Sequence, residues 1–401
     1  MSSVDLGTGR ASLGRVLDFA WRAGAFTATD AMRSASLTRS TTIEAIDTLV
    51  DVDVLRELPN ARDAGEYRAG RPARRFELRG DLGVVVGMDA GDTHLTVQVA
   101  DLSGEVLVHA RADLHPSQSV AERQAAVTAQ LTAALDDAGV PRGRVLAICA
   151  GVAAPVTRRG ASPPHPEGFW ERTNPHLVEL LTDWALAVEV KNDAQLAATA
   201  EGAAGDAIGC RDYIALLAGE RLGAGVVIDG HLLHGAHGGV GEMLAFDAVR
   251  GVDSAYGLGP VLEKTARAIL SEHPGTTTGL AAVAAADIDA QRVLSLAAAG
   301  DPLADLAVQR TGQSLARIVG VLGSMFDPER IIVCGSIADG IEPVLAAARA
   351  ALPPRLHLPA PQLFRSRLGG DVVVRGAVSR ALEIARDVAV PRLAEERLRR
   401  G

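Results

Sequence analysis

The chain has 401 residues, with 40 lysines and arginines, 49 aspartates and glutamates, 48% hydrophobic residues and a formal net charge of -9. This length supports two or three domains with full hydrophobic cores, and the charge argues against a protein that coats nucleic acid over its whole surface. The three cysteines have no paired spacing, so neither a disulfide framework nor a cysteine metal site is indicated. The sequence has no apolar signal core and no membrane-spanning run, which predicts a cytoplasmic protein.

The charge is distributed unevenly along the chain. Residues 1–80 contain 12 arginines and 11 acidic residues, a net charge of +1, which leaves -10 on the other 321 residues. Residues 68–79 hold five arginines and one acid, Glu77. A basic strip on an acidic protein indicates one confined contact with a polyanion. The alternative is a solvated charge run at a domain junction.

The first 80 residues predict three helices. Segment 12–24 forms the first, which ends at Gly24. Its apolar face consists of Leu13, Val16, Leu17, Ala20 and Trp21. The second helix is expected after an N-cap at Thr29 or Asp30, and the third begins near Thr38.

The third helix is predicted to have two distinct faces. Its buried face consists of Ile43, Ile46, Leu49 and Val50. Its exposed N-terminal face consists of Thr38, Arg39, Ser40, Thr41 and Thr42. Short hydroxyl side chains and an arginine at a helix N-terminus suit contacts with DNA phosphates and base edges.

Two short strand signals follow, VLREL at 54–58 and RRFEL at 74–78, joined by a glycine- and arginine-rich segment. This order predicts a winged helix-turn-helix over residues 1–80, with Arg71, Arg74 and Arg75 of the wing reaching the DNA backbone or minor groove. A three-helix packing module without a DNA role is the alternative.

The remaining chain predicts an α/β fold with an internal repeat. Apolar strands at 83–88, 95–102 and 105–110 are followed by a helix at 119–138 and another strand at 145–152. From Tyr213 the order of strand, tight turn, strand, turn and strand begins again, with a hairpin turn at Asp229-Gly230.

Three segments carry a resemblance to a known family: AGRPARRFELRGDLGVVVGMDAGDTH at 69–94, VKNDAQLAATAEG at 190–202 and GAHGGVGE at 235–242. From about Ser12 to Arg386, the chain resembles ROK-family transcriptional regulators, in which a winged helix-turn-helix precedes a sugar-kinase-like body. The resemblance implies a two-lobed actin/hexokinase-like body, a duplicated ribonuclease H-like fold. Lobe 1 would span 81–200, completed by a C-terminal helix at 376–390, and lobe 2 would span 201–375.

A sugar site is expected between the lobes. Asn192 and Asp193 follow a predicted strand, although an Asn-Asp pair in that position is by itself a common turn signal. The resemblance implies that Asp193 matches the kinases' general base, and that Asn174 and Glu242 are further sugar contacts. Amide and carboxylate groups suit a polyol because each can bridge adjacent hydroxyls.

The phosphate-binding motif differs from that of the family's kinases, which usually read Asp-x-Gly-Gly-Thr-Lys. Here Asp89, Gly91 and Thr93 match, whereas Asp92 replaces a glycine and His94 replaces the lysine. Glu220 and Arg221 also interrupt the second-lobe turn, and Ser336 replaces a glycine in the third phosphate segment. The added carboxylates would repel a triphosphate, which predicts that ATP binding is weakened or lost.

No metal or cofactor is expected. His231, His234 and His237 recur at three-residue spacing, but on a predicted hairpin and loop rather than on one helix. Many ROK proteins hold a structural zinc through one histidine and three cysteines. Here Ala245 occupies the histidine position, and the following loop contains no cysteine. ATP and magnesium enter only if the chain is a kinase.

These features predict a sugar-responsive transcriptional regulator, a repressor rather than an enzyme. Its expected partners are a double-stranded DNA operator, a sugar or sugar phosphate, and further copies of itself in a homodimer or homotetramer. The alternative function is an ATP-dependent hexose kinase with a DNA-binding appendage. A third possibility is a regulator that no longer senses a ligand.

Overall fold

The computed structural model describes residues 6–59, 73–252, 254–353, 355–356 and 358–400. The N-terminal module contains three helices and a three-stranded antiparallel sheet in the order β1-β3-β2. Its elements are α1 (Leu6–Ala23), β1 (Phe26–Thr27), α2 (Ala28–Ala35), α3 (Arg39–Asp51), β2 (Leu55–Leu58) and β3 (Arg75–Leu78). This is the element order of a winged helix-turn-helix.

The start of α2 differs from the prediction. Its N-cap is Thr27, whose hydroxyl accepts a hydrogen bond from Asp30 N at 3.3 Å. The Asp30 carboxylate in turn accepts from Thr27 N at 3.0 Å. Asp30, predicted as a cap, is therefore the third helical residue of a reciprocal capping box, an arrangement that satisfies two backbone donors together.

The buried face of α3 also differs from the prediction. The structure buries Thr42, Ala45, Ile46 and Leu49, whereas Ile43 is 36% exposed. Thr42 can occupy the core because its hydroxyl donates to Thr38 O at 2.8 Å, which leaves no polar hydrogen unpaired. Thr42 is 0% exposed and is therefore removed from the predicted DNA contacts.

The first five-stranded sheet of the body has the order β6-β5-β4-β7-β8. Its strands are β4 (Val84–Ala90), β5 (His94–Ala100), β6 (Val106–Asp113), β7 (Val145–Val152) and β8 (Ala187–Asn192). The helices of this part are α4 (Val120–Asp137), α5 (Phe169–Thr173), α6 (Leu177–Leu181) and α7 (Asp193–Ala204).

The second sheet has the order β11-β10-β9-β12-β15. Its strands are β9 (Tyr213–Ala218), β10 (Leu222–Ile228), β11 (His231–Leu232), β12 (Arg330–Cys334) and β15 (Gln362–Arg365). The helices α8 (Leu258–Glu272), α9 (Ala290–Ala298), α10 (Pro302–Phe326) and α11 (Glu342–Ala351) belong to this part, as does the hairpin of β13 (Arg355–Leu356) and β14 (Leu358–Pro359).

The two sheets repeat one topology, because each places its strands in the order third, second, first, fourth, fifth. In both, the first three strands pair antiparallel, and the fourth and fifth pair parallel. The turn between β10 and β11 is formed by Asp229 and Gly230, both with left-handed backbone (φ 53° and 75°), as a two-residue hairpin of type I′ requires. The body is a duplicated ribonuclease H-like fold with the actin/hexokinase architecture, as predicted.

Two helices connect the sheets. The predicted boundary at residue 200 falls inside α7, whose N-terminus follows β8 and whose Ala194 lies against Gly225 of β10. Helix α12 (Val372–Ile384) packs beside α7 so closely that a Cβ at Gly376 would overlap Leu196 O. The chain continues through a π-helical turn at Ala385–Ala389 into α13 (Val390–Arg400). Within the described ranges, no helix is long and apolar enough to cross a membrane.

Candidate functional site

The predicted sugar residues Asn192 and Asp193 lie where β8 ends and α7 begins. Asn192 is the N-cap of α7: its side-chain oxygen accepts from Gln195 N at 3.1 Å, and its amide donates to Ala154 O at 3.2 Å. Asp89 is the penultimate residue of β4, which is connected to β8 by parallel pairing through β7. Carboxyl ends of parallel strands share one edge of the sheet, so Asp89 and Asp193 both lie at the edge that faces the interlobe cleft.

Two neighbouring carboxylates act on Asp193 in this cleft. Burial raises the pKa of Asp193 to about 7, and the negative charges of Asp89 and Glu242 act in the same direction. The hydrogen bond from Ala194 N to the Asp193 carboxylate, at 2.8 Å, opposes part of this increase. Burial also raises the pKa of Glu242, against the attraction of Arg221. The cleft therefore concentrates negative charge that is only partly neutralised.

Glu242 is held in place by a glycine-rich loop that touches both lobes. Gly238 (φ 78°) approaches lobe 1 so closely that a Cβ would overlap Val156 O. Gly241 (φ 91°) approaches lobe 2, where a Cβ would overlap Ala224 O. Both glycines are required by backbone conformation and by space. They place Glu242 in an antiparallel bridge with Gly223 of β10.

Asn174 has an acceptor oxygen without a partner. Its amide nitrogen donates to Gly160 O at 3.0 Å and to Ser162 Oγ at 2.9 Å. Asn174 is only 7% exposed, yet its buried side-chain oxygen has no hydrogen-bond partner among the described residues. A buried acceptor in this state is costly unless a ligand hydroxyl donates to it. Sequence reasoning missed Ser162, which fixes the orientation of the amide.

The turn after β4 is occupied by its own side chains. His94 Nε2 lies 3.0 Å from Asp89 Oδ2, and a Cβ at Gly91 would come within 2.5 Å of the His94 ring. Arg123, which is 2% exposed, donates to Gly91 O at 2.9 Å and pairs with the Asp92 carboxylate at 3.1 Å. The prediction treated Asp92 as a free negative charge. This prediction is wrong, because the guanidinium of Arg123 pairs with the Asp92 carboxylate.

The other two predicted phosphate segments follow β9 and β12. The segment after β9 places Arg221 5.3 Å from the centre of the Tyr256 ring, and a Cβ at Gly257 would overlap Gly219 O. Gly335, the residue after β12, has a left-handed backbone (φ 100°), a conformation that favours glycine. Thr93 contributes its carbonyl oxygen to Leu114 N at 2.8 Å.

In the described part of the chain, no group of three or more His, Cys, Asp or Glu side chains is placed to hold a metal ion. The loop in which many ROK proteins bind zinc is held here by hydrogen bonds. Asp247 accepts from Ala255 N at 2.7 Å, and Arg317 donates to Gly251 O at 3.0 Å.

The arginines of the N-terminal module fall into two groups. Several are paired with acids: Arg22 with Asp18, Arg56 with Glu77, Arg79 with Asp53 and Asp81, and Arg74 with Asp47 and Glu57. Arg15, Arg33, Arg39 and Arg75 are exposed and form no ion pair with any described residue, although Arg15 donates a hydrogen bond to Ala35 O at 3.4 Å. Arg33, on α2, was missed by sequence reasoning because its exposure depends on how α2 packs.

Arg74 differs from its predicted role. Its guanidinium lies 3.0 Å from Asp47 of α3 and 2.8 Å from Glu57 of β2, and 4.9 Å from the centre of the Phe76 ring. These contacts raise the pKa of Arg74, most of all through Glu57. Arg74 therefore links the wing strand to α3 through ion pairs, whereas Arg71 lies outside the described residues.

The predicted N-terminal face of α3 is otherwise accessible. Thr38 is the N-cap and accepts from Thr41 N at 3.3 Å, with its hydroxyl 2.8 Å from that of Thr41. Arg39 and Ser40 are exposed, and Thr41 is half-buried.

Comparison with known proteins identifies the family of this chain. Residues 85–382 match the ROK family. A solved ROK family transcriptional regulator, described as a homologue of the E. coli MLC protein, superposes with a TM-score of 0.74 at 22% identity and covers 97% of this chain and 99% of its own. The xylose repressor of Caldicellulosiruptor bescii is 24% identical over 67% of this chain and 70% of its own.

Another relative is the bifunctional enzyme NanE/NanK of Brucella suis biovar 1, which is 29% identical over 233 residues. This alignment covers 53% of the present chain and 40% of the enzyme, so the chain spans less than half of that relative. Because the family match extends over most of the body, the chain belongs to the ROK family.

Proposed function

We propose that the chain is a transcriptional regulator that binds duplex DNA through its N-terminal module and a sugar in the interlobe cleft. The observation that carries this proposal is a set of exposed arginines that have no acidic partner among the described residues: Arg39 in the first turn of α3, Arg33 on α2 and Arg75 at the start of β3. Arg22, Arg56, Arg74 and Arg79 are paired with acids, so the exposed arginines without an acidic partner supply positive charge that phosphates would meet. The similarity to a xylose repressor, and to a regulator whose structure covers the module, supports the same function.

We infer that the sugar is unphosphorylated. Asp89, Asp193 and Glu242 face one cleft, and a phosphate group would add a further anion beside them. Two unit charges 4 Å apart repel by about 1 kcal/mol in water and by several times that value when desolvated. A neutral sugar avoids this cost, and its hydroxyls can donate both to the carboxylates and to the unpaired oxygen of Asn174.

The same geometry supports a regulator without kinase activity. The turn after β4, where the family's kinases hold phosphate, is closed by the Asp89–His94 contact and by Arg123. A coupled assay with ATP and a panel of hexoses, with Asp193→Asn as the control, tests this directly. Turnover that depends on Asp193 would establish the alternative, a sugar kinase with a DNA-binding appendage.

A physical connection between the two sites runs through the C-terminal helices. Helix α12 packs against α7, whose N-terminus carries Asp193. Beyond α12, Arg386 lies 3.7 Å from Asp18 of α1, and Arg397 donates to Val52 O at 2.7 Å. Buried residues of α1, α3, α7 and α12 belong to one continuous core. A ligand that moves the lobes therefore has a packed path to the module, and a coupling free energy of about 1–3 kcal/mol is enough for a switch.

We further propose that the protein is a repressor and acts as a homodimer or homotetramer. A single module buries little DNA surface, and two linked modules read two half-sites. The test of the proposed function uses the full chain. Duplexes are enriched from a random DNA pool, and neutral and phosphorylated sugars are screened by thermal shift. The proposal would be contradicted if no duplex were enriched and no sugar changed the thermal unfolding midpoint.

A further inference from the structure

An apolar side chain is exposed on α3, within the surface that the proposed function assigns to DNA. Ile43 is 36% exposed and lies one turn after Arg39. Among residues 11–59 and 73–80, no other large hydrophobic side chain is exposed to this degree. The rest of the apolar residues of α3 serve the core, with Ile46 and Leu49 each 1% exposed.

The surroundings of Ile43 indicate which part of a DNA duplex this turn would meet. Glu44 is exposed beside it and forms no ion pair with a described residue, and Asp47 lies one turn further on. Carboxylates repel the phosphate backbone, so the backbone contacts belong to Arg39 and the helix N-terminus. Asp47 is also held by Arg74, with 3.0 Å between the charged atoms, which fixes the wing beside this turn. The second turn of α3 is therefore suited to base edges rather than to phosphates.

We propose, on the basis of the proposed DNA-binding function, that Ile43 is a specificity-determining residue that contacts the C5-methyl group of a thymine in the major groove. The thymine methyl is the apolar group that the major groove presents, and apolar side chains distinguish thymine by contacting it. Burying one such group changes affinity by about fourfold. Arg39, one turn earlier, places the helix on the backbone, and Ile43 reads the base.

The experiment uses the full chain and the duplex that it enriches from a random pool. Each thymine of the enriched site is replaced by uracil, which lacks only the methyl group, and binding is measured by fluorescence anisotropy. We expect uracil at one position in a half-site to lower the affinity of the wild-type protein for the duplex about fourfold. Ile43→Ala should bind the thymine and uracil duplexes equally. Asp51→Ala, a matched change at the exposed end of α3, should keep the wild-type ratio.

Two outcomes would overturn this inference alone: equal wild-type affinity for thymine and uracil at every position, or an unchanged thymine-to-uracil ratio in Ile43→Ala. If the pool yields no enriched duplex, the proposed DNA-binding function fails, and the role of Ile43 fails with it. Because Ile43 lies outside the core, its truncation should leave the thermal unfolding midpoint nearly unchanged, which separates a lost contact from a lost fold.

Discussion

The N-terminal module and the interlobe cleft handle charge in opposite ways. In the module, charged side chains are exposed, and ion pairs decide which arginines remain available to a partner. In the cleft, the carboxylates of Asp193 and Glu242 are desolvated, and burial raises the pKa of both, with neighbouring negative charges adding to the increase at Asp193. Net charge alone distinguishes neither arrangement. At the surface, ion pairing decides which charged side chains can meet a partner. In the interior, desolvation decides which carboxylates are ionised.

The largest effect is expected at Asn174, the proposed sugar contact whose buried oxygen has no hydrogen-bond partner among the described residues. Asn174→Ala removes the oxygen that a sugar hydroxyl would use, which should weaken binding of the sugar that gives the strongest thermal shift by about 10- to 100-fold. Ser162→Ala should cost less, because Asn174 keeps its hydrogen bond to Gly160 O. Isothermal titration calorimetry measures both changes. Wild-type affinity in folded Asn174→Ala would remove Asn174 from the site.

The second prediction concerns pH. An aspartate carboxyl ordinarily has a pKa of 3.8, and in the folded chain burial raises the pKa of Asp193 to about 7. Between these values the folded state binds more protons than the unfolded state, so this residue makes the protein less stable as pH rises. Asp193→Asn removes the penalty and should stabilise the protein at pH 8 by on the order of 2 kcal/mol.

Thermal unfolding across pH measures this effect. The midpoint of Asp193→Asn should exceed that of the wild type by an amount that grows from about pH 4 to pH 7 and is then constant. A difference independent of pH would show that Asp193 is not desolvated in the fold.

The third prediction is that unpaired arginines of the module contribute to DNA binding and paired ones do not. Arg33→Ala, Arg39→Ala and Arg75→Ala should each weaken DNA binding about tenfold and reduce the slope of log affinity against log salt by about 0.9. Arg22→Ala is the matched control, because Arg22 is already paired with Asp18 at 2.9 Å. Anisotropy at several salt concentrations provides the slopes. An equal loss in Arg22→Ala would contradict the division into free and paired arginines.

The smallest effect is expected for Arg74. Its partners are about half exposed, so Arg74→Ala should lower the free energy of unfolding by at most about 1 kcal/mol. DNA affinity should fall less than in Arg39→Ala, since Arg74 orients the wing without contacting phosphate. Denaturant unfolding and anisotropy on the same variant test this. If Arg74→Ala lowered DNA affinity as much as Arg39→Ala and left the free energy of unfolding unchanged, Arg74 would be a direct DNA contact.

The fold could be predicted from the sequence because its signals are local. Hydrophobic periodicity located α1, α4, β4 to β7 and β9 to β11, and the Asp229-Gly230 pair located a hairpin turn, whereas β12 and β15 were not predicted. The errors arose where two local solutions compete. Thr27 and Thr29 are both residue types that cap helices, and the structure uses Thr27. Thr42 can lie in the core because its hydroxyl donates a hydrogen bond to Thr38 O.

The predicted site was limited by contacts that are distant in sequence. Arg123 lies 31 residues from Asp92, and Arg74 lies 27 residues from Asp47, so no local pattern indicates either pair. The same limit hid Ser162 as the partner of Asn174. Residue type and motif placed carboxylates and amides near a ligand, whereas their pairing and burial required the tertiary structure.

The central claim is that the sugar cleft and the DNA-binding module are coupled. It is tested most directly by measuring the affinity of the full chain for its enriched duplex with and without a saturating neutral sugar. We expect at least about a fivefold change in affinity, corresponding to a coupling of about 1 kcal/mol, and loss of that change in Asn174→Ala. A sugar that binds the cleft and leaves the DNA affinity unchanged would contradict it.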